Sequence, residues 1–217
     1  MKNVLHNTTF RKFLLYCGIL SSLLYVCVVA IAPVFWEGYD RASQSVSELF
    51  AIGAPSAGFV IPFCILYALL AYAFGAGIWM SAGSKWTLKV TASLIITKEV
   101  LGLVGTIAAP MHLRGSVGSL TDTMHIVVTM VGVLLCMFPA IGFGAASFGR
   151  GFRVYSIVTM VIFIVFGFLA GMDGPNVAAN LPTPYLGTDK YLYVYGMDRC
   201  TQPDVTVPIV KFHNTCG

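Results

Sequence analysis

Charge is what this sequence has least of. Only 10% of its 217 residues are Asp, Glu, Lys or Arg, whereas soluble domains carry roughly 25%. So few ionic groups cannot cover a surface that faces water, and a soluble module is excluded. Basic clusters are missing as well. The formal charge of +4 comes from Lys and Arg scattered at the ends of apolar runs, which excludes the basic stripe that grips nucleic acid. Dense metal-ligand spacings are also absent. No cysteine pair stands as C-x-x-C, no histidines as H-x-x-x-H, and no glycine-rich loop runs into Lys-Ser or Lys-Thr. The familiar zinc-ribbon, zinc-protease and phosphate-loop chemistries therefore have no footing.

What is present is apolar. Hydrophobic residues make up 57% of the chain and mean hydropathy is +0.82. Uninterrupted apolar stretches bounded by charges, turn residues or proline predict helical spans near Phe13–Phe35, Gly58–Met80, Leu88–Ala109, His125–Phe148 and Phe152–Met172. Each is long enough to cross about 30 Å of hydrocarbon as a helix, which satisfies its own backbone hydrogen bonds where water is absent. Ala30-Ile31-Ala32 resembles a signal-peptidase site after Lys2, Arg11 and Lys12. The apolar core before it exceeds the roughly 7–15 residues of a signal peptide, so the first helix is read as uncleaved. Cys17, Cys27, Cys64 and Cys136 lie inside apolar runs and read as small hydrophobes.

Loop charge sets orientation, because Lys and Arg in short loops are retained in the cytoplasm. Lys2, Arg11 and Lys12, then Lys85 and Lys89, then Arg150 and Arg153 mark alternate connections. The intervening ones hold Glu37, Asp40, Arg41 and Glu48, or Arg114 alone. A cell-membrane protein with a cytoplasmic amino terminus is expected, and any site lies on the outer side. Gly75-Ala76-Gly77, Gly102 to Gly105 and Gly142 to Ala146 read as close helix-packing faces.

Residues 1–187 read as one membrane domain and residues 188–217 as an irregular tail. From Thr188 the sequence is polar, Tyr-rich and interrupted by proline. Shifting the reading frame by one base makes Thr188 to Asp198 compatible with Arg-Ile-Asn-Ile-Tyr-Met-Tyr-Met-x-Trp-Ile. The Trp is obligatory, since Met197 followed by Asp198 must yield TGG. Asp204 to Asn214 then permits an apolar run like a sixth span. A frameshift origin for the tail would turn an odd number of crossings into an even one.

Polar residues gather at the outer side: Ser45, Ser47 and Glu48; His112 and Arg114; Asp122 and His125; Asp173 and Asn176. Asp122 and His125 are three apart and share a face if a helix begins there. One reading is a site in which His112, Asp122 and His125 hold zinc while Glu48 serves as base. The other is structural: Asp122 caps the helix, His125 anchors at the interface, and Ser47 and Glu48 bond to loop backbone. Glu99 lies near the middle of its span, where an ionised side chain costs at least about 2.5–3.5 kcal/mol. Lys98 is adjacent but projects from a different face, so it is expected to be a poor direct partner.

Three segments carry a resemblance: Tyr39-Asp40 through Ser45-Val46-Ser47-Glu48-Leu49, Ala109-Pro110 through Asp122 to His125, and Thr183-Pro184-Tyr185-Leu186-Gly187. Together they resemble the domain-of-unknown-function family 998 of bacterial and archaeal membrane proteins. The resemblance implies about six spans, the last containing Trp, and a recurrent outer pattern at Ser47, Glu48, Asp122 and His125. It carries no activity. The expectation is an all-α membrane protein with five transmembrane helices as written, short loops and an irregular tail. It binds membrane lipids, or a protein partner not specified by the sequence, through an outer polar cluster, and no nucleic acid. The alternative is a zinc-dependent hydrolase of lipid headgroups.

Overall fold

A computed structural model of the chain describes residues 2–116 and 118–186. The tail from Thr188 to Gly217, with its shifted-frame reading, lies outside the described residues. The described chain is all helical: α1 (Lys2–Ile31), α2 (Ala57–Ser81), α3 (Trp86–Ala108), α4 (Leu120–Val131), α5 (Phe138–Ser147), α6 (Arg150–Met172) and a short α7 (Gly174–Ala178). Gly132–Met137 joins α4 to α5 as a π-helical segment, so Leu120–Ser147 forms one long rod. Pro139, just inside α5, explains that segment, because proline removes one hydrogen bond and crowds the carbonyl four residues back.

Among the described residues, five helices are long and apolar enough to cross a membrane. At most 22% of each span's most apolar window is buried, and only 6% in Arg150–Met172. The remaining apolar surface needs lipid to cover it. This is a polytopic membrane protein.

The helices pack in sequence, α1 on α2, α2 on α3, α3 on α4 and α5, and α5 on α6. Small residues allow the closest approaches. A Cβ added at Gly75 would lie 2.7 Å from Ile96 Cγ1 of α3, and one at Gly77 would lie 3.0 Å from Leu14 Cβ of α1.

The connections after α1 and α3 fold together at one end of the bundle, called here the loop end. Ile52 N donates to Met111 O at 2.8 Å, forming an isolated parallel bridge between them. Beneath them a core of Val28, Ala32, Leu49 and Val60 is surrounded by Trp36, Tyr39 and Phe59, among others. Ser56 at the start of α2 donates to Leu49 O at 2.7 Å, which fastens the 3-10 turn Val46–Phe50 onto that core. At the opposite end Ser147 donates to Thr87 Oγ1 at 2.7 Å, and Trp86 meets Phe143 edge-on at 5.4 Å.

The fourth span begins at Leu120 rather than His125. Ser119 accepts from Asp122 N at 3.2 Å, while the Asp122 carboxylate accepts from Ser119 N at 2.9 Å. This reciprocal capping box satisfies backbone donors at the helix start and adds a turn and a half to the expected span.

Candidate functional site

Three polar groups occupy the loop end, and each is assembled from a different set of residues. The first centres on Glu48, which is fully buried. Arg114 donates to it twice, Nε to Oε2 at 2.8 Å and Nη2 to Oε1 at 2.9 Å. Gln44 Nε2 donates at 3.0 Å and Ser45 N at 2.9 Å. Burial alone would raise the Glu48 carboxyl, but the hydrogen bonds from Arg114, Gln44 and Ser45 outweigh it and hold it below the ordinary value of 4.5. The Glu48 hydrogen bonds raise Arg114 in turn, against the opposing effect of burial. Arg114 also donates to Ser43 O at 2.8 Å and to Thr183 Oγ1 at 3.3 Å. Thr183 is itself buried and donates to Ser43 O. One guanidinium thus ties together three stretches of chain far apart in sequence.

The second group centres on Asp122. Its Oδ1 accepts from His112 N at 2.7 Å and its Oδ2 from Ser119 Oγ at 2.8 Å. The His112 Nδ1 lies 3.2 Å from both carboxylate oxygens. At the end of α6, buried Asp173 accepts from Tyr185 N, and Asn176 N donates to Asp173 O at 3.0 Å. Asp173 and Asn176 therefore close the turn that returns Thr183 to Arg114.

The third group pairs His125 with Ser47. His125 Nδ1 lies 3.0 Å from Ala109 O, and Nε2 lies 3.4 Å from Ser47 Oγ. The His125 ring is buried and tilts on Phe50 at 6.1 Å.

These placements bear on zinc. Among the described residues no three His, Cys, Asp or Glu side chains gather closely enough to hold a metal ion. The donor set does not fit either. Asp122 Oδ1 accepts from His112 N and Oδ2 from Ser119 N and Oγ, Glu48 is bound to Arg114, and His125 presents one nitrogen to a carbonyl.

A further polar group lies inside the bundle. Lys98 Nζ meets Glu99 Oε1 at 2.8 Å, correcting the expectation that Lys98 would be a poor direct partner for Glu99. Their Cβ atoms diverge by roughly 100°, but the four-carbon lysine stem is long enough to fold back across that angle. Tyr67 of α2 donates to Glu99 Oε1 at 3.5 Å, and Lys98 Nζ lies 5.7 Å from the Tyr67 ring centre. These three residues form a shared wall between two apolar cavities. The larger, about 550 Å³, extends toward Leu88, Phe148 and Tyr155. The smaller, about 200 Å³, extends toward Val28, Val46 and Phe50.

Sequence reasoning did not single out Gln44, Ser119, Thr183 or Tyr67 as partners. Arg114 left one signal, since it is the one cation of its connection and faces an acidic connection.

No curated protein and no solved structure matches this chain. A family described as a protein of unknown function, DUF998, matches residues 19–195. That stretch takes in every polar group described above, from the second half of α1 to Tyr185, and the chain belongs to the DUF998 family.

Proposed function

We propose that the protein binds a membrane lipid inside its helix bundle, with the Lys98–Glu99–Tyr67 group as the polar contact. One observation carries this reading. An ion pair with a phenol beside it stands between two cavities, of about 550 and 200 Å³, whose other lining is mainly apolar and carries no further charge. A charged group within a span is costly, and its usual justification is a ligand, an ion path or a proton path. Both residues line the two cavities, and with the Lys98 side chain 30% exposed against 8% for Glu99, the lysine is the more open member of the pair. The group offers a donor and an acceptor at mid-depth amid aliphatic and aromatic walls. That chemistry suits a lipid with a long apolar body and a small hydrogen-bonding group, such as a hydroxyl, amide or carboxyl.

The Glu48 and Asp122 groups at the loop end contribute by closing the bundle rather than by direct contact, since these carboxylates are already bound to Arg114, Ser119 and His112. The reading places the protein in the cell membrane with the loop end outward, in keeping with the charge of the connections.

Native mass spectrometry of protein extracted in mild detergent tests it. One lipid retained per chain is expected, and the double variant Lys98→Met/Glu99→Gln should lose it. Wild-type protein without lipid, or a double variant that retains the same lipid, would overturn the reading.

A further inference from the structure

We infer that Ser47 and His125 form a nucleophile–base pair for acyl transfer from an ester-linked lipid. The geometry begins with a carbonyl. Ala109 O can only accept, so His125 Nδ1, 3.0 Å away, carries the proton. In the neutral ring the other nitrogen then holds a lone pair, and it points at Ser47 Oγ, 3.4 Å distant. A base oriented on one side by a fixed acceptor and facing a hydroxyl on the other is the arrangement that activates serine. The separation is wider than the roughly 2.6–3.2 Å of a working pair, as is common before substrate binds.

Ser47 also differs from its neighbours. Ser43 donates to Asp40, Ser45 to Glu48, Ser56 to Leu49 O and Ser116 to Leu113 O. Those hydroxyls are committed to caps and turns. Among the described residues, the Ser47 hydroxyl has its one hydrogen-bond partner in His125.

The surroundings indicate the substrate. Val46 and Phe50 flank Ser47 on the same 3-10 turn and line the smaller apolar cavity, while Phe50 packs against the His125 ring. An acyl chain in that cavity would end beside the pair. Depth agrees with this. The rod Leu120–Ser147 has 28 residues, so it is about 42 Å long and matches the whole bilayer. His125 lies about 7 Å in from its start, at the edge of the hydrocarbon, where the ester carbonyls of glycerolipids reside.

In the step, Ser47 Oγ attacks the ester carbonyl carbon and its proton passes to His125 Nε2. The bond from that carbon to the leaving alcohol oxygen breaks, and the proton moves from Nε2 to that oxygen. Water, deprotonated by the same nitrogen, then hydrolyses the acyl-serine to release a fatty acid and restore the hydroxyl. No oxidant, metal or further reactant is needed. The seat of the chain rests on the lipid-binding reading, whereas the reactivity of Ser47 does not.

A long-chain alkyl fluorophosphonate, applied to the folded full-length protein in detergent and followed by peptide mapping, tests the pair. Phosphonylation at Ser47 is expected, with complete loss in Ser47→Ala and a rate at least about 100-fold lower in His125→Gln, the usual contribution of a general base. An unmodified Ser47 in folded wild-type protein overturns the proposal, as does a His125→Gln variant that reacts as fast as wild type. If His125→Gln does not fold, mapping of wild type against Ser47→Ala decides alone. Retained lipid measured on the same sample separates the two readings. An unreactive Ser47 in lipid-bearing protein removes only the nucleophile, and a reactive Ser47 in lipid-free protein supports it while removing the binding reading.

Discussion

Arg114 holds Glu48 with two parallel hydrogen bonds, 2.8 and 2.9 Å long, across 66 positions of sequence. The carboxylate is fully buried whereas the Arg114 side chain is 19% exposed, so Glu48 has no water to fall back on if the arginine is removed. Arg114→Met should destabilise the fold by about 3–5 kcal/mol, since it leaves a buried charge without its counter-ion. The double variant Glu48→Met/Arg114→Met should recover part of that loss. Thermal unfolding of the purified variants in one detergent measures both, and a single variant as stable as wild type would show that the pair does not lock the loops.

Acid should loosen the same lock. The folded Glu48 carboxyl lies below its ordinary 4.5, so protonation is favoured by the unfolded chain. The stability it contributes is complete above about pH 4.5 and is lost as pH falls through the lower folded value. Thermal midpoints measured from pH 7 to 3 should drop more steeply for wild type than for Glu48→Gln, which has no proton to gain. Parallel curves would assign the acid limb to other groups.

At α4 the capping box should behave as a separable unit. Ser119→Ala removes the side chain that both accepts from Asp122 N and donates to its carboxylate, and about 1 kcal/mol of stability should go with it. Hydrogen exchange localised to Leu120–Met124 should accelerate while α2 stays protected. Uniform acceleration would mean that the start of α4 does not open independently.

Orientation calls for labelling at exposed positions. Glu48 is unsuited because it is buried, whereas Glu37 and Lys85 are exposed at opposite ends of the bundle. In intact cells, an impermeant thiol reagent should modify Glu37→Cys and spare Lys85→Cys, in line with the basic charge of the second connection. The reverse pattern would invert the protein.

The five spans were legible because each is a run of apolar residues whose length alone satisfies the membrane. The meeting of the first and third connections was legible in part, because the polar residues that collect there have nowhere else in an apolar chain to find partners. Pairing within the cluster was not. Glu48 and Arg114 come from different loops, and no local spacing links them. Lys98 and Glu99 illustrate the opposite difficulty, since direction along a helix predicts where a Cβ points but not where a flexible ammonium ends. Ser119 read as part of a loop because a Ser-x-x-Asp box looks the same as any polar turn until the helix behind it is known to begin there.

The widened turn over Gly132–Met137 has a consequence for winding. From the widened turn onward, buried small residues recur on this rod at Gly132, Cys136, Ala140 and Gly144, four apart, with Ala145 buried beside the last. In an ideal α-helix each step of four overshoots a full turn by about 40°, so three steps would rotate the face by about 120°. The slacker π turns take up part of that overshoot and keep the small residues in phase with a single neighbour. Gly132 accordingly lies beside Lys98, and Gly144 beside Thr91, both on α3. Removing one residue from the segment would tighten the winding and turn one of these glycines away from α3, putting a larger side chain against either the charged pair or the far end of the helix.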